Sequence, residues 1–81
     1  MRIDKFLKVS RILKRRTLAQ ESVSSGRIKI NGKVVKPAHQ VKEGDLVELG
    51  FSSGTITIKI LMIKETVKKE EAEKTYQVIE G

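Results

Sequence analysis

Two alternating runs, Arg27-Ile28-Lys29-Ile30 and Lys33-Val34-Val35-Lys36, meet at the dipeptide Asn31-Gly32. Asparagine and glycine accept positive φ at both central positions of a two-residue turn, so this segment specifies an antiparallel hairpin. The period of two puts Ile28 and Ile30 on the core face and Arg27 and Lys29 on the outer face. Pro37 cannot donate to a sheet ladder and ends the second strand. A lone hairpin is at best marginally stable in water, so the rest of the chain has to supply further strands and a cover.

Downstream, Gly44-Asp45 turns the chain into Leu46–Leu49, and Thr55–Ile63 is a longer β-branched alternation bounded by Gly54 and Lys64. The two are expected to pair as a second hairpin. Lys68–Lys74 reads as a charged helical turn with Glu70 one turn before Lys74, and Tyr76–Ile79 as a short edge strand. Upstream, Ile3, Phe6, Leu7 and Ser10 occupy positions i, i+3, i+4 and i+7 of a short amphipathic helix. At 100° per residue, Asp4, Lys8 and Arg11 share the opposite face with Lys5 on its flank, and Asp4 precedes Lys8 by one turn, the favourable ion-pair order. Thr17 with Gln20 three residues on reads as a capping box; the second helix then runs through Ala19 and Val23 to about Ser25, and Gly26 supplies a left-handed stop. The expected class is α+β, with two short N-terminal helices packed on a small bent antiparallel sheet and a short C-terminal extension.

With 81 residues, only one small domain fits, which argues against a two-lobed enzyme with its own cleft. The chain has no Cys, which removes disulfides, thiolate nucleophiles and zinc-thiolate sites and suits a reducing compartment. Its one His, His39, has no partner pattern for a nucleophilic triad; it reads as a loop cap or, protonated, as a phosphate contact. Gly26 to Lys33 fails as a phosphate loop, because five residues separate Gly26 from Gly32 where the motif has four, and Val34 stands where a magnesium-binding hydroxyl is needed. Glu43, Asp45 and Glu48, and Glu70, Glu71 and Glu73, lie in turn or exposed-helix patterns and read as solvated rather than as acid/base pairs. No catalytic residue, metal site or cofactor is expected. The longest apolar run, Ile60 to Ile63, is far short of a membrane span, and no apolar signal segment precedes the first charges, so the expected location is cytoplasmic.

Charge is divided unevenly. Residues 1–42 hold 12 Lys/Arg and 2 acids, net +10, whereas residues 43–81 hold 5 Lys/Arg and 8 acids, net −3. A polyanion-binding face with a neutral to acidic back has this form, whereas cations scattered for solubility would not avoid one half. Lys14, Arg15 and Arg16 form a basic corner at the start of the second helix, where unpaired N–H groups, the positive end of the dipole and the Thr17 hydroxyl favour phosphate. Lys5, Lys8 and Arg11 from the first helix and Arg27 from the hairpin extend the same face. Phe6, Phe51 and Tyr76 are the three aromatic residues, and no stacking platform is visible in the sequence. Binding is therefore expected to rest on phosphates and the shape of a folded RNA, with a duplex-DNA reader and a membrane-surface helix as competing readings.

The ordered pieces Arg2-Ile3-Asp4-Lys5-Phe6-Leu7, Arg15-Arg16-Thr17-Leu18-Ala19, Gly26-Arg27-Ile28-Lys29-Ile30-Asn31-Gly32, Lys36-Pro37 and Gly44-Asp45 resemble the αL RNA-binding domain named for ribosomal small-subunit protein four. The resemblance covers roughly residues 1–63 and implies the αL RNA-binding fold there, with residues 64–81 as a C-terminal extension packed on the domain. The whole chain, including Lys8-Val9-Ser10-Arg11 and Lys68-Lys69-Glu70-Glu71-Ala72, is similar to the RqcP branch of that superfamily, relatives of bacterial heat-shock protein fifteen. It lacks the long basic C-terminal extension of heat-shock protein fifteen, which favours the RqcP branch. That resemblance implies a non-enzymatic, monomeric factor binding large-subunit rRNA and peptidyl-tRNA on stalled large ribosomal subunits. It also implies work with RqcH in C-terminal alanine tailing, with tRNA held in the P site. By the same resemblance Arg2, Lys5, Lys8, Arg11, Arg15, Arg16, Thr17, Arg27 and Lys36 are expected RNA contacts, beside Lys14 of the basic corner. Another structured RNA, or service as the RNA-targeting module of a larger RNA-modifying enzyme, is the alternative.

Overall fold

A computed structural model describes residues 1–80, and its first hairpin turns on Asn31 and Gly32 at φ 51° and 84°. Strands β1 (Ile28–Ile30) and β2 (Lys33–Val34) flank that turn, with Ile30 opposite Lys33. Asn31 does more than turn the chain. Its side-chain amide donates to Asp45 Oδ1 at 3.2 Å, and its side-chain oxygen accepts the Leu46 N–H at 3.0 Å. Asp45, expected among solvated acids, is buried instead, because it receives Asn31 and the Lys42 N–H and so staples the hairpin to the next strand.

Strand β3 (Leu46–Phe51) pairs with β1 on one side and with β4 (Gly54–Ile60) on the other, and β5 (Tyr76–Glu80) closes the far edge. The order β2-β1-β3-β4-β5 makes one antiparallel sheet of five strands. Two strands are shorter than the sequence pattern suggests. β2 stops at Val34 because the following segment pairs with the N-terminus: Ile3 N–H donates to the His39 carbonyl at 2.8 Å and Val41 N–H to the Met1 carbonyl at 2.9 Å. β4 stops at Ile60 because the Leu61 and Met62 N–H groups both turn to the Thr75 carbonyl. The charged turn expected at Lys68–Lys74 is a 3-10 helix over Lys69–Thr75, with Ala72 and Thr75 buried.

Helix α1 (Ile3–Val9) and helix α2 (Arg16–Ser24) cover one face of the sheet. Ile3, Phe6 and Leu7 of α1, Ala19 and Val23 of α2, and the inward residues Ile28, Ile30, Val47, Leu49, Ile58 and Ile60 form the core. The end of α2 follows the left-handed stop in detail: Gly26 (φ 79°) donates to the Val23 carbonyl and Arg27 to the Ser22 carbonyl, a Schellman motif. Its start differs from the capping-box reading. Arg15 is the N-cap and supplies no side-chain cap, so Thr17 lies inside the first turn, while the Gln20 side chain is drawn to Asp4. Helix α1 also ends earlier than read, at Val9 with Ser10 as C-cap, which puts Arg11 beyond it in the left-handed region at φ 62°. No helix among the described residues is long and apolar enough to cross a membrane.

Candidate nucleic-acid interface

Asp4 organises the basic corner. The sequence reading put it on the outer face of α1 beside Lys8; α2 packs over that flank instead and leaves Asp4 fully buried. Burial of a lone carboxylate would be costly, and four donors offset it. Arg2 reaches Oδ2 at 3.1 Å, Arg16 reaches Oδ1 at 3.4 Å, Gln20 Nε2 donates to Oδ2 at 3.1 Å and the Lys5 N–H to Oδ1 at 2.8 Å. Burial alone pushes the carboxyl up, but the hydrogen bonds from Gln20, Arg16 and Lys5 and the Arg16 charge together outweigh it, and Asp4 sits below the ordinary carboxylate range. One buried acid thus draws Arg2 and Arg16 together from different elements. Both arginine side chains keep 43% of their surface exposed, so each is anchored at one edge and open at the other.

Around this pair the remaining cations fall into distinct groups. Lys14, Arg15 and Thr17 are exposed at the entry to α2, whose first N–H groups have no side-chain cap among the described residues. Lys36 is brought to the start of α1 by its neighbour Pro37, whose carbonyl accepts the Asp4 N–H. Lys8 and Arg11 line a shallow cleft with Val9, Glu65, Thr66 and Val67. Lys5 is not free: it is paired with Glu65, whose carboxyl is held below its usual range first by that hydrogen bond and then by the Lys5 charge. Arg27 lies apart from the Asp4 cluster, in a groove between α2 and the end of β3. His39 is exposed and serves α1 through its backbone carbonyl.

Sequence reasoning missed Asp4 and Gln20 as organisers and Glu65 as a partner of Lys5. The available signal for the first two was an acid isolated within a cationic N-terminal segment, with a glutamine one turn into the next helix.

The S4 domain family model matches residues 1–47. The chain is 54% identical over 78 residues to the RQC P-site tRNA stabilizing factor of Halalkalibacterium halodurans, covering 96% of this chain and 89% of that protein. It is 48% identical over 79 residues to the factor of the same name from Bacillus subtilis, covering 98% of this chain and 92% of that protein. Heat shock protein 15 of Vibrio cholerae, solved as a trimer, superposes with a TM-score of 0.89 at 32% identity, covering 96% of this chain and 80% of that one.

Proposed function

The chain belongs to the S4 domain family, within the group of RQC P-site tRNA stabilizing factors, and from that premise we propose that it binds and stabilises P-site tRNA in ribosome-associated quality control. The carrying observation is the likeness over nearly the whole chain, C-terminal segment included. The Asp4 cluster supplies a physical means. Two arginines held at one edge present their other edges to phosphate without having to be ordered on binding, which lowers the entropic cost of each contact.

In this reading residues 1–63 form the RNA-binding domain and residues 64–80 an extension packed on it; Gly81, the last residue of that expected extension, lies outside the described residues. The ten expected contacts, Arg2, Lys5, Lys8, Arg11, Lys14, Arg15, Arg16, Thr17, Arg27 and Lys36, divide between large-subunit rRNA and the tRNA backbone. Holding both at once gives each contact a high effective concentration. The factor acts as a monomer in the cytoplasm, on large subunits that carry peptidyl-tRNA, and supports RqcH during alanine tailing. It uses no chemistry of its own and favours one tRNA position through contacts made only in that state.

The test is tailing on purified large subunits carrying peptidyl-tRNA with RqcH. Wild type is expected to promote repeated alanine addition without consuming nucleotide, whereas the double variant Arg15→Ala/Arg16→Ala abolishes it while circular dichroism shows an intact fold. A folded double variant that still gives full-length tails on the gel overturns this mechanism.

A further inference from the structure

A groove of about 600 Å³ lies between α2 and the end of β3. Leu18 and Ser22 of α2, Arg27 and Ile28 at the start of the hairpin, and Leu49 and Phe51 of β3 are among the residues that line it. Leu18 and Phe51 are 44% and 43% exposed, large apolar side chains that the helices leave uncovered. The volume is in the range of small-molecule sites, about 300 to 1,000 Å³.

Arg27 stands on a rigid backbone. Its N–H donates to the Ser22 carbonyl at 3.1 Å, and its own carbonyl accepts the Gly50 N–H at 2.8 Å. Gly50 permits that approach, since a Cβ there would lie 3.1 Å from the Arg27 carbonyl oxygen. The groove therefore combines apolar lining, one exposed aromatic side chain and an exposed arginine on a fixed backbone, and none of its described lining residues is acidic. Its α2 side begins close to the basic corner, because Leu18 lies in the first turn of the helix whose N-cap is Arg15.

We propose that this groove receives one unstacked nucleobase of the bound RNA, stacked on Phe51, with Arg27 engaging the adjoining phosphate. Unpaired RNA bases are recognised by stacking on aromatic side chains, and the phosphate beside such a base supplies the negative charge that Arg27 matches. The exposed lining is small beside the roughly 800 Å² per partner of a standard protein interface, which favours a single base over a protein. The proposal rests on the reading that the chain binds RNA through the basic corner.

The experiment compares an RNA stem-loop, carrying a fluorescent adenine analogue in its loop, with a blunt duplex of the same stem. Phe51→Ala is expected to weaken stem-loop binding about 5- to 150-fold, the range for loss of one stacked base, and to leave duplex binding unchanged. Phe51→Tyr retains wild-type affinity. Phe51→Leu, which keeps apolar bulk, loses as much as alanine, and the loop fluorophore is quenched by wild type but not by this variant. A leucine variant that binds the stem-loop like wild type overturns the proposal, as does an equal loss on both RNAs. Loss confined to whole large subunits, with naked stem-loop binding intact, assigns the groove to a protein and overturns it too. Arg16→Ala separates the levels. If it leaves both RNAs bound, the basic-corner reading fails; if it releases both while the Phe51 variants bind normally, only the groove proposal fails.

Discussion

Asp4 and Lys5 are neighbours in sequence and each is ion-paired, yet their surroundings make the pairs opposites. Asp4 is fully buried and shared among Arg2, Arg16, Gln20 and the Lys5 N–H, whereas Lys5 meets a single Glu65 whose side chain is 74% exposed. Removed from water, an ion pair becomes part of the frame; in water it is screened by salt and open to exchange with a competing anion. The first pair fixes where two cations stand, and the second holds a cation in reserve.

That contrast predicts its largest effect at Asp4. Removing the buried carboxylate forfeits charge-assisted hydrogen bonds that contribute about 1.5 to 3 kcal/mol each, a loss moderated because both arginines left behind reach solvent. Asp4→Ala should lose about 3 kcal/mol in urea unfolding, and a loss near zero would break the comparison. Acid sharpens it. The folded Asp4 carboxyl lies below its ordinary value of 3.8, so its stabilisation is complete above that pH and is lost as pH falls through the folded pKa. Wild type should lose stability in that window, and Asp4→Asn, weaker at neutral pH, should lack this component.

A comparable effect on binding is expected at the anchored arginine. Charge-assisted contacts contribute about 1.5 to 3 kcal/mol, so Arg16→Ala should weaken association with large subunits by more than about tenfold. Lys59, on β4 at the far side of the sheet, should tolerate alanine. Equal losses in a pelleting assay would remove the basic corner from the site.

The smallest effect belongs to the exposed pair. With about six phosphate contacts, log K against log salt should have a slope near −5. Glu65→Gln should leave the unfolding midpoint unchanged and, by releasing Lys5, steepen that slope by up to about 0.9. A shifted midpoint would make Glu65 part of the frame after all.

Features encoded in adjacent residues were legible in the sequence. Asn31-Gly32 set the first turn, Gly26 stopped α2, and the edge strand read at Tyr76–Ile79 closes the sheet as β5, one residue longer. Features decided by distant partners were not. A helical wheel for α1 cannot know that α2 covers the Asp4 flank, and local spacing offers Gln20 to Thr17 although the buried carboxylate is the stronger acceptor. β2 ended early for the same reason, since residues 37–41 had a better partner in the N-terminus than in β1. Of the basic side chains, sequence gave their clustering; which were anchored and which masked depended on acids brought in by folding.

The strap from Pro37 to Val41 has a consequence for the timing of synthesis. The first turn of α1 is satisfied by carbonyls of Pro37 and His39, and Val41 enters the core above it. Residues made first thus wait for residues made some forty positions later before their helix is complete. A chain emerging in order passes through a stage in which α1 and the Arg2 anchor are present but unassembled. Pulse-labelled hydrogen exchange should find the Ile3 and Asp4 amides protected only after the strap has left the exit tunnel. Until then, a nascent copy holds its basic residues without the geometry that makes them selective, and competence for RNA arrives as a late step of its own translation.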